Sequence, residues 1–168
     1  MRVAVTGTPG TGKSTTTDLL ESDLEVIHLN EVIREEELTT GVDDDRESLV
    51  ADLEAIEEWL AGREDVVVES HLAHHFDVYR VVVLRAHPET IVERLERREE
   101  SAATARENAE SEALDVVLTE AVETHGRDAV YEIDTTDRTP EEVAAAIDDV
   151  VDGTREPSAG TVSYVEWL

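Results

Sequence analysis

Residues 7–14 read Gly7-Thr8-Pro9-Gly10-Thr11-Gly12-Lys13-Ser14 and directly follow the apolar run Val3-Ala4-Val5. The stretch meets the pattern G-x-x-x-x-G-K-[ST] at each fixed position. Strand, glycine-rich loop and helix in succession make a cradle for phosphate. The glycines let backbone N–H groups close around an anion, and the helix N-terminus turns its partial positive charge toward it. The pattern assigns Gly10, Gly12, Lys13, Ser14 and Thr15 to a nucleoside triphosphate, with the Lys13 ammonium on the β- and γ-phosphates and the Ser14 hydroxyl on Mg²⁺. Lys13 is the only lysine of the chain, so a slim ammonium on a flexible stem occurs just where the loop requires one.

The 168 residues fit one domain with a real core. Against 14 Lys and Arg stand 42 Asp and Glu, a formal charge of -28. Such charge usually accompanies disorder, but 40% of the chain is hydrophobic and periodic, so the acid must coat a folded surface. An arginine-using, lysine-poor acidic coat suits a high-salt cytoplasm, where a Debye length of about 3 Å at molar salt screens self-repulsion. Broad nucleic-acid binding through a basic face is not expected on the same ground. The absence of cysteine removes disulfides and thiolate metal sites. No apolar run approaches the ~18 residues of a membrane span, and no basic-then-apolar leader opens the chain, which predicts a soluble cytoplasmic protein.

Working outward from the loop, the spacing predicts a first helix over Thr15–Ser22 and a strand over Glu25–Leu29. Asn30 is the expected N-cap of a short helix to about Leu38. Thr39–Arg46 reads as a loop with the acid run Asp43-Asp44-Asp45, and Leu49, Leu53, Ile56 and Leu60 share one face of a helix stopped by Gly62. Val66-Val67-Val68, ending in Glu69, and Tyr79–Leu84 are β-branched runs of the kind buried on both faces of a parallel sheet, and Val130–Ile133 reads as the fifth strand. His87-Pro88 opens a helix ending in Arg94, Arg97 and Arg98. Ser101–Arg106 is expected to be mobile, and one further helix to run to about Thr124 with Leu114, Val117, Leu118 and Ala121 inside. Thr139-Pro140 starts the last helix, Gly153–Gly160 is a linker, and Val162, Tyr164 and Trp167 should dock on the body. Strands alternating with helices predict an α/β fold, a three-layer doubly wound five-stranded parallel sheet with ligands at the carboxyl ends of its strands.

The choice among phosphate chemistries narrows by elimination. The chain has two asparagines, Asn30 and Asn108, and no N-K-x-D segment to read guanine. What remains are small P-loop kinases and small P-loop ATPases. Arg94, Arg97 and Arg98 lie three and four apart, so their guanidiniums can converge on transferring phosphate, or balance Glu93, Glu96, Glu99 and Glu100 on a solvated face. His74 and His75, without a third ligand in view, read as loop histidines that pack or face solvent. Asp134-Thr135-Thr136 is either an adenine-holding turn or a plain strand end.

Four stretches together resemble the nucleoside monophosphate kinases, most closely the ribosome-assembly adenylate kinases of archaea and eukaryotes. These are Gly-Thr-Pro-Gly-Thr-Gly-Lys-Ser, Arg34-Glu35-Glu36, Glu69-Ser70-His71, and Glu93-Arg94-Leu95-Glu96 with Arg98. The resemblance covers about residues 2–150. It implies transfer of phosphate from ATP to AMP with Mg²⁺, a monophosphate site over about 30–53 using Arg34, a short lid over about 98–108, and Arg98 on the ATP phosphates. It also implies that Glu69 and His71 organise metal and water for an accompanying ATPase activity. A transient small-subunit ribosomal protein partner and a role in 16S rRNA maturation are implied as well. In this chain Glu69 stands where the family uses Asp, and Glu99 where it uses Gly. A kinase of a non-nucleotide metabolite, or an assembly ATPase with a protein partner, would share the loop and the arginines.

Overall fold

Arg2–Gly7 forms β1, the central strand of the molecule, with all six residues buried. A computed structural model describes residues 1–43 and 48–168; for residues 42, 43, 48 and 49 it describes the backbone alone. Arg46 and the acids Asp44 and Asp45 of the expected loop lie outside the described residues.

The elements in chain order are β1, α1 (Lys13–Thr17), β2 (Glu25–His28), α2 (Leu29–Glu35), β3 (Thr39–Asp43), β4 (Ser48–Ala51), α3 (Leu53–Leu60), β5 (Val66–Glu69), β6 (Arg80–Arg85), α4 (Pro88–Arg97), α5 (Ala102–Ala113), α6 (Val116–His125), β7 (Val130–Asp134) and α7 (Pro140–Asp152). Five strands pair in parallel in the order β2-β5-β1-β6-β7. Their side chains alternate between two apolar layers. On one face Ala4, Val66, Val68, Val81 and Val83 pack with Ile33, Ile56, Leu60, Val117 and Leu118 from α2, α3 and α6. On the other, Val3, Val5, Val67, Val82 and Leu84 meet Val143, Ile147 and Val150 of α7. This is the doubly wound three-layer α/β sheet that strands alternating with helices predict.

Four local expectations are corrected. First, the segment read as loop and early helix is an antiparallel hairpin of β3 and β4, with Val42 opposite Leu49. Leu49 fits the helical spacing, but Asp52 starts the helix later: its carboxylate accepts from Ala55 N at 3.1 Å, so α3 begins at Leu53. Second, His28 is the N-cap of α2, and Asn30 instead accepts from the Ser70 hydroxyl at 2.8 Å. Third, α1 ends at Thr17 rather than reaching Ser22. Its threonine hydroxyls bond back to Gly12 O and Lys13 O at 2.6 and 2.9 Å, which weakens a helix.

Fourth, 101–106 opens a helix, with the Ser101 hydroxyl accepting from Thr104 N at 3.1 Å. The expected single helix to Thr124 is two, α5 and α6. They are broken at Asp115, whose φ of 56° no helix tolerates, and Leu114 is exposed. The break is held from β6: Arg85 donates to the Asp115 carboxylate at 2.6 Å and to Glu112 O at 3.1 Å.

The tail is tied down from its middle onward. Ser158 N donates to Val130 O at 3.0 Å, Thr161 N donates to Glu132 at 2.8 Å, and the Tyr164 hydroxyl donates to Asp134. Trp167 packs on the α4/α5 cluster of Ala86, Ile91, Leu95, Ala105 and Ala109.

Candidate active site

The loop between β1 and α1 takes its shape from two glycines in particular. A Cβ on Gly7 would lie 2.6 Å from Leu84 O in β6, so the loop can leave the sheet only without a side chain there. Gly12, at φ 88°, caps α1 in a left-handed conformation. Thr8 anchors the loop to the body by donating to the buried Glu112 carboxylate at 3.1 Å. Glu112 also accepts from Ala86 N at 2.8 Å and from Arg85 Nε at 3.2 Å. Burial pushes the Glu112 carboxyl above its ordinary value, although Arg85 and these donors pull it down.

Lys13 folds over the loop and donates to Gly7 O and Thr8 O at 3.0 and 3.1 Å. Burial lowers its pKa to about 8, opposed by the charge of Glu69. An arriving polyphosphate would supply the counter-charge that the Lys13 ammonium lacks among backbone carbonyls. At the end of β5, Glu69 is buried and its Oε1 accepts from the Ser14 hydroxyl at 3.0 Å. The longer acid at this position therefore reaches the loop serine. Two hard oxygens converge here, a donor set suited to Mg²⁺.

A further group completes this corner. His28 Nδ1 lies 2.7 Å from Glu69 Oε1 and its Nε2 2.8 Å from Asp18 Oδ1. Burial pulls the His28 imidazole down, but its bonds to Glu69 and Asp18 prevail and raise it. Parallel register explains the meeting, since His28 pairs with Glu69 at matching strand ends.

Three cavities run through the site in series. The first, about 320 Å³, is lined by Thr11, Gly12, Thr15, Arg94, Arg98 and Thr135 among others. The second, about 200 Å³, is bounded by Gly10, Gly12, Lys13, Ser14, Glu69 and Arg98, with Asn30 and His71 on its far side. The third, about 550 Å³, shares Asn30 and His71 and adds Ile33, Arg34, Val50, Leu53 and Leu72. Gly12 and Arg98 thus stand between the first and second, and Asn30 and His71 between the second and third. Burial, aided by the Lys13 charge, depresses the His71 imidazole to about 4, so it is neutral near pH 7.

All nine residues singled out from the sequence border this series. Arg94 is committed in part to structure: Nη1 donates to Gly10 O at 3.1 Å and Thr135 Oγ1 at 3.3 Å. The Asp134 carboxylate is used on Thr136 and Tyr164, which leaves Thr135 to line the first cavity. Glu99, after Arg98, has φ 65°, a conformation in which glycine is at ease. Sequence reasoning missed His28, Asp18 and the Thr8–Glu112 anchor. Only His28 carried a usable signal, its place at the end of a strand beside β5.

Residues 3–115 match the AAA domain family. A relative from Natronomonas pharaonis, named "Putative adenylate kinase", is 62% identical over the full length of both chains. One of the same name from Halobacterium salinarum is 59% identical, again over all of both chains. The chain belongs to this archaeal adenylate kinase family. A Methanosarcina acetivorans member is 44% identical, with 90% of this chain and 87% of that one covered. Among solved structures, shikimate kinase from Acinetobacter baumannii overlays with a TM-score of 0.61 at 16% identity, covering 92% and 94% of the two chains. Deoxyadenosine kinase from M. mycoides with bound dATP overlays with a TM-score of 0.56 at 11% identity, covering 90% and 100%. These two establish that the fold is that of the P-loop kinases.

Proposed function

We propose that this family member transfers the γ-phosphate of ATP to AMP. The observation that carries the reading is the series of cavities: a loop-lined phosphate pocket lies between a donor-sized cavity and an acceptor cavity bearing Arg34. In this reading ATP occupies the first two, with Gly10, Gly12, Lys13, Ser14 and Thr15 on its phosphates and Arg98 spanning α-to-γ charge. AMP occupies the third, its phosphate held by Arg34.

The chemistry asks for position and positive charge. An ionised oxygen of the acceptor phosphate attacks the γ-phosphorus, the bond from that phosphorus to the β,γ-bridging oxygen breaks, and two ADP result. No general base is needed because the nucleophile carries no proton. Lys13 and Arg98 face the charge that spreads over the transferring group. Ser14 and Glu69 would hold Mg²⁺, which when bound neutralises phosphate charge; His28 orients Glu69 from behind.

Neutral His71, between the phosphate pocket and the acceptor cavity, favours an accompanying ATPase activity, since it can orient a water when no acceptor is present. A small-subunit ribosomal protein partner and a role in 16S rRNA maturation belong to the same reading. Basic ribosomal proteins complement a surface of charge -28.

The test is ADP release in molar KCl with AMP, GMP, CMP, UMP or no acceptor, for the wild type, Arg34→Ala and His71→Ala. Arg34→Ala should weaken AMP use and spare hydrolysis. His71→Ala should lower hydrolysis about 10²-fold and transfer much less. Equal loss of both activities in both variants would overturn the separate roles, and equal use of all acceptors would overturn the AMP assignment.

A further inference from the structure

Beside the loop end of β1, the short turn Ala73–His75 packs against α6 and brings three ligand-type side chains together. His74 Nε2 and His75 Nε2 each lie 3.2 Å from the same Glu120 carboxylate oxygen, Oε2. All three ligand atoms fall within 4.8 Å of one another. We infer that His74, His75 and Glu120 form a binding site for a divalent zinc-class cation, independent of the Ser14–Glu69 corner.

Two of the three edges come close to those of a tetrahedral site. With metal–ligand bonds of about 2.0–2.2 Å, the ligand atoms of such a site stand about 3.3–3.6 Å apart. The two histidine–Glu120 separations need to open by only a few tenths of an ångström, and the His74–His75 separation is no more than 4.8 Å. The ligand set selects the ion: two imidazoles and one carboxylate suit zinc and its neighbours, whereas Mg²⁺ and Ca²⁺ take oxygen.

The supporting shell is also in place. His74 is buried, and its Nδ1 lies 2.7 Å from the Thr6 hydroxyl in β1. When an ion is bound, Nδ1–H can donate to Thr6 so that Nε2 presents its lone pair to the ion, the tautomer a metal ligand requires. The His74 carbonyl accepts from His125 Nε2 at 2.8 Å, which fixes the turn to α6. The His75 and Glu120 side chains are 30% and 39% exposed, so an ion can enter and water can fill a fourth position. Without a cation, the arrangement is two imidazole N–H groups donating to one carboxylate oxygen.

The site would clamp α6 to the segment that leaves β5, and through Thr6 to the residue before Gly7. The probe is Co²⁺, whose tetrahedral complexes absorb strongly in the visible while octahedral ions on an acidic surface do not. Titration is done on the full chain in molar KCl with a large excess of Mg²⁺ to occupy the loop site. One equivalent should give a tetrahedral spectrum that Zn²⁺ displaces. Zn²⁺ at 100 times its Kd should raise Tm by about 5–10 °C.

His75→Ala and Glu120→Ala, both at partly exposed positions and checked by circular dichroism, should lose the spectrum and the Tm shift. Glu69→Gln should keep both. A wild type with no tetrahedral spectrum, a spectrum that survives both alanine variants, or one lost in Glu69→Gln would overturn the assignment.

Discussion

Arg85 is the fully buried cation on which the rear wall of the site depends, and Arg85→Met tests that dependence. Its guanidinium donates to Glu112 at 3.2 Å, to Glu132 at 2.7 Å and to Asp115 at 2.6 Å. Methionine keeps most of the stem's volume and removes the charge. Asp115 is one-third exposed and falls back on water, so its share is at most about 1 kcal/mol. Glu112 and Glu132 are 2% exposed and form no other ion pair among the described residues, Lys13 acting on Glu112 only weakly from farther off. Breaking a buried pair by removing one partner costs about 3–5 kcal/mol, because the other charge stays behind. Two such charges share Arg85, and partial protonation relieves one of them, so the same range of about 3–5 kcal/mol applies to the variant.

The sign of the pH dependence separates this cause from lost packing. Burial already raises the Glu112 carboxyl in the folded protein, and losing Arg85 raises it further. The folded variant then holds a proton that the unfolded chain releases near pH ~4.3, so its stability falls as pH rises from about 5 to 7. Urea unfolding in molar KCl at several pH values, compared with wild type, measures both effects. A loss below about 1 kcal/mol, or a loss that does not grow with pH, would refute the argument. Since Glu112 also anchors Thr8, ATP affinity should fall in parallel.

Three further outcomes are expected. Glu99→Gly, which relieves a left-handed non-glycine residue, should add about 0.5–1 kcal/mol of stability by thermal melting; a loss would show that Glu99 makes a contact worth more than its strain. Tyr164, pushed up to about 12 by burial and by the Asp134 carboxylate, against weaker opposing effects of Thr136 and Arg85, should ionise well above the ordinary tyrosine value of ~10 in an ultraviolet titration, with His87 packed edge-on to its ring. Its raised pKa means that the Tyr164 contribution to tail docking is fully present below the ordinary tyrosine value of ~10 and is lost as pH rises through about 12; Asp134→Asn should move the transition down, and no movement would refute the pairing. With a formal charge of -28, Tm should climb from dilute buffer to molar KCl, and a flat Tm would show that self-repulsion is not what salt relieves.

What the sequence made legible is what local chemistry determines. The loop, the five strands and the caps at His87 and Thr139 are each written in a few adjacent residues, and each is found where expected. The misses depend on partners far along the chain. Leu49 fits a helix by spacing, yet its backbone pairs across a hairpin. Asp115 has no local reason to break a helix; Arg85, 30 residues earlier, supplies it. His28 becomes part of the site through register with Glu69, 41 residues away. His74 is buried and packs, as its loop position suggests, and what the sequence does not show is that it and His75 both meet Glu120, on a helix whose start depends on that same break at Asp115.

The distribution of positive charge explains how so acidic a chain can hold a polyanion. A net charge of -28 should repel ATP at low ionic strength, and a long-range attractive field is unavailable to it. At molar salt the Debye length shrinks to about 3 Å, so the global charge is screened while contacts inside a pocket are not. Under that condition the position of each cation matters more than the total. Lys13, Arg94, Arg97, Arg98 and Arg138 line the first two cavities and Arg34 the third, six of the 14 basic residues gathered on one edge of the sheet. Arginine suits the rim, where a planar fork can meet phosphate oxygens from several directions. The lone lysine sits under the loop, where a fork would not fit between Gly7 O and Thr8 O. The acidic coat and the phosphate pocket are therefore compatible because they act over different ranges, one screened by salt and the other sheltered from it.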